Sequence, residues 1–115
     1  MSSSVFPADK YKFIKFRRSK KRDKKYDAIL RHIATGREKV ISFGGIRPNG
    51  TPYPQYKDST GLKLYSRLDH FDEARRQRYR NRHKGEGNST RKYSAGWFSY
   101  WYLWVCMVIL PFNII

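Results

Sequence analysis

Residues 10–43 read KYKFIKFRRSKKRDKKYDAILRHIATGREKVISF, and this stretch decides the fold. Residues 10–17 (KYKFIKFR) predict a first strand. Successive side chains of a strand point to opposite faces, so Tyr11, Phe13 and Lys15 are expected on one side and Ile14 and Phe16 on the other. Residues 26–33 (YDAILRHI) fit either a strand or a short helix. The turn pair Thr35–Gly36 and the partner-like segment 37–43 (REKVISF) favour a strand. The expected fold class is therefore α+β: a small three-stranded antiparallel meander, one Arg-rich helix and an aromatic C-terminal segment.

Working outward, the link between the first two strands is a basic run. Lys15, Arg17, Arg18, Lys20, Lys21, Arg22, Lys24 and Lys25 are all cationic. Such a run resists burial, which predicts a solvated hairpin loop or a binding arm for a polyanion or other partner. Residues 44–54 (GGIRPNGTPYP) form an irregular loop, with Tyr53 and Tyr56 available to pin it. Residues 57–68 are turn-like and then partly apolar. Asp69 is the expected helix N-cap, with Asp72 and Glu73 favourable in the first turn. The helix is expected to run to about His83 and stop before Gly85. It carries Arg75, Arg76, Arg78, Arg80 and Arg82, with Lys84 just beyond, and leaves Phe71, Ala74 and Tyr79 to pack. The domain reading is a flexible lead at 1–9, a basic domain at 10–96 and an aromatic, apolar segment at 97–115.

The 115 residues suffice for one modest core. Aromatics make up 17% of the chain and all hydrophobic residues only 39%, so that core must be built largely from rings. With 25 Lys and Arg against 9 Asp and Glu, the formal net charge of +16 favours an anionic partner: nucleic acid, lipid headgroups or an acidic protein surface. Cys106 is the lone cysteine, which suits a reducing compartment. Residues 1–15 lack a continuous apolar stretch, so no secretory signal is expected.

Residues 97–115 (WFSYWYLWVCMVILPFNII) carry no charge. Trp97, Phe98, Tyr100, Trp101, Trp104, Val108 and Leu110 are the expected apolar anchor. One reading is an aromatic core strand at 97–104 with an extension docking on a neighbour. Another is an interfacial or spanning membrane segment, with Arg91 and Lys92 on the cytoplasmic side.

No catalytic or metal-binding residues and no cofactor are expected. No two of His32, His70 and His83 sit four residues apart, the spacing of a helical zinc site, and a single cysteine cannot complete a Cys-His cluster. Asp69-His70 with Asn81 and His83 superficially suggests a His-Asn-His nuclease, but Asn81 and His83 are too close together, which leaves these as helix-surface residues. No serine sits in a nucleophile elbow and no glycine-rich loop carries a phosphate-loop lysine, so no small-molecule substrate is expected.

Five features, in order, support a resemblance: Phe43-Gly44, Tyr56-Lys57-Asp58, Asp69-His70, the Arg75–Arg82 run, and the closing Ser99-Tyr100-Trp101-Tyr102-Leu103-Trp104. Over residues 11–104 the chain resembles a family of small basic proteins of nucleocytoplasmic large DNA viruses, including algal and giant viruses. Against that family, residues 45–54 look like an insertion and residues 105–115 an extension. The resemblance implies a virion or virus-factory protein, assembled in host cytoplasm or nucleus and placed in or beneath the capsid shell. The leading expectation is a non-enzymatic minor capsid protein whose partners are capsid proteins of the same virus. Nucleic-acid binding and contact with the inner viral membrane are the alternatives.

Overall fold

Alternating apolar and charged residues build a meander; the helical segment over 95–104 packs against it, and the Arg-rich helix packs against that segment. The computed structural model describes residues 6–105. Strand β1 (Tyr11–Arg18) pairs antiparallel with β2 (Lys24–His32), which pairs antiparallel with β3 (Glu38–Gly45). The spatial order is β1-β2-β3, so the expected three-stranded α+β fold is the one observed.

One detail of β1 differs from simple alternation. Its register shifts between Phe13 and Lys15, where Ile14 bulges out of the ladder. An extra residue in a strand resets which side the following residues face. Phe13 and Phe16 therefore meet, with ring centroids 4.7 Å apart, and both rings lie against Phe98. The expectation that they face opposite sides is corrected.

The β1–β2 hairpin is braced from within by Asp27. Its carboxylate accepts hydrogen bonds from Arg17 Nε (3.0 Å), Ser19 Oγ (2.7 Å), Ser42 Oγ (2.6 Å) and the Lys20 amide (3.3 Å). Burial alone pushes this carboxyl up. The bonds from Ser42, Ser19, Arg17 and Lys20 outweigh it and hold the pKa below the usual carboxylate value. Arg17 is thus a brace and not a free member of a basic arm.

Tyr26, Ala28 and Leu30 of β2 and Phe43 of β3 form the sheet side of the core. The other side comes from residues 93–105. Ser94 Oγ accepts from the Trp97 amide (3.1 Å) and starts a short helix α2 (Ala95–Ser99), which continues as a π-helical turn over Tyr100–Trp104. Phe98, fully buried, stacks on Phe43 at 5.3 Å and on Tyr93 at 5.8 Å. At the end of this segment the Leu103 and Tyr102 carbonyls accept from the Lys57 and Ser59 amides (3.0 and 2.8 Å), which ties in the long loop.

This placement corrects the reading of the C-terminal segment. Residues 97–104 are helical, not a strand. Trp97, Phe98 and Tyr100 are buried, and Trp101 and Trp104 half-buried, in the chain's own core, so they are not a free anchor. The division at 96/97 falls inside α2, which packs on β3. Among the described residues no helix is long and apolar enough to cross a membrane. Cys106, Val108 and Leu110 lie outside the described residues.

The Arg-rich helix α1 spans Glu73–Arg82. Its N-cap is Asp72, whose carboxylate accepts from the Ala74 and Arg75 amides (3.0 and 3.2 Å). Asp69 is used elsewhere, which corrects the expected cap. Phe71 sits at φ 52° and is 58% exposed, and Ala74 is exposed as well. Of the three expected packing residues Tyr79 carries the contact to the core, lying flat on Trp104 with centroids 4.3 Å apart, while Phe71 only touches Tyr56 edge-on at 6.0 Å.

Phe98 joins sheet, α2 and Tyr93, so Phe98→Ala is expected to cost about 3–5 kcal/mol in urea unfolding. Ile33→Ala, at an exposed position, is expected to change stability by less than about 0.5 kcal/mol. Equal effects from the two would contradict the packing described.

Candidate polyanion-binding groove

The site begins with a lysine in an unexpected place. Lys25 closes the basic run, yet it is only 1% exposed. Its ammonium donates to the Tyr53 carbonyl (2.6 Å) and to Gln55 Oε1 (2.8 Å). Gln55 in turn donates from Nε2 to the Tyr65 carbonyl (3.0 Å) and to Asp69 Oδ1 (2.8 Å). Asp69 Oδ1 also accepts from the Asp58 amide (3.0 Å). Asp58 accepts from the Tyr26 hydroxyl and from the Thr60 amide and hydroxyl. A chain of side chains thus runs from β2 into the 46–69 loop, and Gln55 is its pivot. Tyr53 and Tyr56, the expected pins, stay near the surface.

Lys25 also explains a glycine. Gly44 has φ +81°, and a Cβ there would lie 3.0 Å from the Lys25 Cβ. Both the backbone conformation and the close approach favour a residue with no side chain. Burial lowers the Lys25 pKa to about 8, against an opposing pull from Asp58 and Asp69.

Above this network lies a groove of about 560 Å³ between the end of β3, the following loop and α1. Among the described residues its lining holds the side chains of Lys25, Arg47, Arg75, Arg78 and Arg82, and no carboxylate. Tyr53, Tyr79, His83 and Trp104 line it between the cations. The Arg47 guanidinium lies 4.4 Å from the centre of the Tyr53 ring. Tyr79 stacks on His83 at 4.2 Å on one side and on Trp104 on the other. At about 100° per residue, positions 75, 78, 79 and 82 share one helix face. The Tyr79–Trp104 stack fixes which face turns toward the groove.

The expected binding residues therefore divide. Arg75, Arg78 and Arg82 come together in the groove with Lys25 at its inner end. Arg76 turns elsewhere, over the Tyr56 ring at 4.6 Å and paired with Glu73 at 2.8 Å. Neither Arg80 nor Lys84 is among the lining residues. Of the arm, Lys15, Arg18, Lys20, Lys21 and Arg22 are exposed and Lys24 half-buried. Pairing of Lys24 with Gly45, and the Ile46 amide's bond to the Asp23 carbonyl (3.0 Å), bring the hairpin turn to the same end of the sheet as the groove.

Arg47 was not anticipated, because an isolated arginine in a Gly-Pro-Asn loop gives no signal of its own. Of the histidines, His70 departs from the helix-surface position expected of it. His32 lies at the end of β2 and accepts from the Ala34 and Thr35 amides. His70 precedes α1, lies against Tyr56 and Trp104, and accepts from the Asp72 amide. Burial, helped by the charge of Arg75, lowers the His70 pKa. Among the described residues no group of three or more His, Cys, Asp or Glu is placed to hold a metal ion.

No family model, curated protein or solved structure matches the chain. Its function is therefore read from this geometry.

The Lys25 environment has a measurable consequence. Folded Lys25 titrates near 8 and the unfolded side chain at 10.5. Between these values the unfolded chain holds more protons, so stability increases with pH. A gain of about 1–2 kcal/mol from roughly pH 7.5 to 9.5 is expected in urea unfolding. Lys25→Met should remove most of that gain. Burial and the bond to Asp58 raise the Tyr26 pKa, so its contribution is lost only as pH climbs beyond the ordinary tyrosine range. An unchanged rise in the Lys25→Met protein would contradict this assignment.

Proposed function

We propose that the protein is a non-enzymatic docking protein that grips an anionic partner at the basic end of its sheet. In this reading it serves as a minor capsid-associated component of a large icosahedral double-stranded DNA virus, with an acidic coat-protein surface as the partner. The observation that carries it is the convergence of five cationic side chains on one groove with no carboxylate in its lining among the described residues. The exposed Lys20, Lys21 and Arg22 stand at the same end of the sheet and enlarge the basic surface. Guanidinium groups form paired hydrogen bonds with carboxylates and phosphates alike, so the groove suits either.

The second reading, nucleic-acid binding, is favoured by one specific observation. Tyr53, Tyr79 and Trp104 lie among the groove cations, and aromatic rings between cations are how single strands are commonly held. A membrane role draws no support from the described residues, because the rings expected at a bilayer interface are used in the core.

A salt-dependent titration separates the readings. Duplex DNA, single-stranded DNA and polyglutamate are offered to the purified chain at several salt concentrations. Nucleic-acid binding predicts micromolar or tighter affinity for DNA, falling steeply with salt. Coat-protein docking predicts that polyglutamate and the purified coat protein bind at least as well as DNA. In either case Lys20→Ala/Lys21→Ala/Arg22→Ala should weaken binding about 3- to 30-fold, roughly two to three lost contacts of modest strength. No binding to any of these at about 50 mM salt would remove the docking reading.

A further inference from the structure

The groove is more selective in its chemistry than a merely basic surface. Cations spread over a surface follow the long repeat of a polymer. Here Lys25, Arg47, Arg75, Arg78 and Arg82 border one space of about 560 Å³. Arg75, Arg78 and Arg82 are held on one helix face by the Tyr79–Trp104 stack, and Lys25 is fixed by the Tyr53 carbonyl and Gln55. The carboxylates that oppose Lys25, Asp58 and Asp69, belong to the network behind it and are not part of the lining. The Glu86 carboxylate is engaged by His83 Nδ1 at 3.0 Å and is also absent from the lining.

Like charges gathered this closely repel one another unless an anion is held among them. One phosphate of charge about −2 leaves most of that charge uncompensated. An extended strand places about one charge per 3.4 Å of its axis in a line, which suits the outer surface better than a short groove. Several phosphates joined in one small molecule match both the charge and the space.

We propose that the groove between β3 and α1 is a binding site for a compact polyphosphate, free or carried on a nucleoside. Arg75, Arg78, Arg82 and Arg47 would embrace the phosphate oxygens, and the buried Lys25 ammonium, committed to the Tyr53 carbonyl and Gln55, would add its charge from behind the inner end. The inference rests on the docking reading only in taking this end of the molecule as the working surface. It adds a small ligand that the docking reading does not need.

Calorimetric titration of the full chain at about 150 mM salt, where diffuse attraction is screened, provides the test. The probes are inorganic tripolyphosphate, adenosine triphosphate, orthophosphate and a thymidine decamer with a 5′-hydroxyl. Tripolyphosphate and adenosine triphosphate are expected to bind one-to-one, at least about 10-fold tighter than orthophosphate. Equal affinity for the first two identifies bare polyphosphate as the ligand, and a tighter nucleotide identifies a nucleoside carrier. Arg78→Gln/Arg82→Gln, at two exposed positions, should weaken both about 10-fold or more with urea unfolding unchanged. Lys20→Gln/Lys21→Gln/Arg22→Gln should leave both unchanged while weakening the polymer binding tested above. The proposal is overturned if tripolyphosphate binds no better than orthophosphate. It is also overturned if the decamer competes equally, or if the hairpin variant loses as much as the groove variant. Those results would leave the docking reading standing, because that reading is scored on polymers and the hairpin.

Discussion

An ammonium withdrawn from water must find acceptors, and the way Lys25 finds them organises the rest of the molecule. Its partners are the Tyr53 carbonyl and Gln55, both in the long loop after β3. Supplying them forces that loop to fold back over the sheet. Gln55 then reaches Tyr65 and Asp69, and Asp58 meets Tyr26, so some two dozen residues with little regular structure gain one arrangement. A half-satisfied buried network is worse than an apolar one, which makes each of these partners matter. The same loop delivers Arg47 and Tyr53 to the groove and leads directly into α1. The groove therefore exists because a charge was buried beneath it.

The second organising element is aromatic. Phe98 and its neighbours cover the sheet, and the Tyr79–Trp104 stack connects that core to the otherwise polar α1. A helix with so many arginines has little apolar surface with which to choose its orientation. The flat Tyr79–Trp104 contact, with Arg76 over the Tyr56 ring beside it, makes the choice, and the choice turns Arg75, Arg78 and Arg82 inward toward the groove. Core packing and cation placement are thus settled by the same residues.

How much of this could be read from residues alone follows from the range of each interaction. The three strands were legible because alternation and turn chemistry are local, as at Thr35–Gly36. The bulge at Ile14 was not, since it depends on which rings must meet across the core. Lys25 was hidden by its neighbours: eight cations in one run look alike, and only tertiary contacts single one out. Asp69 and Asp72 are both plausible caps, and the hydrogen bonds from Gln55 and the Asp58 amide decide between them. The spacing of Arg75, Arg78 and Arg82 was present in the sequence, but five arginines over eight residues obscure any one face. That residues 97–104 are core was one of the readings their aromatic composition offered; that they are helical was not visible locally.

The irregularity in β1 has a bearing on solution behaviour. Among the described residues β1 is an outer strand of the sheet. An outer strand presents unmatched amides and carbonyls that can recruit another chain. The displaced Ile14 interrupts that row, and Lys12 and Lys15 set exposed positive charge on either side of the break. A second copy laid alongside would meet mismatched hydrogen-bonding groups and mutual repulsion. A ring-rich sheet is thereby protected from fibrous self-association along its β1 border.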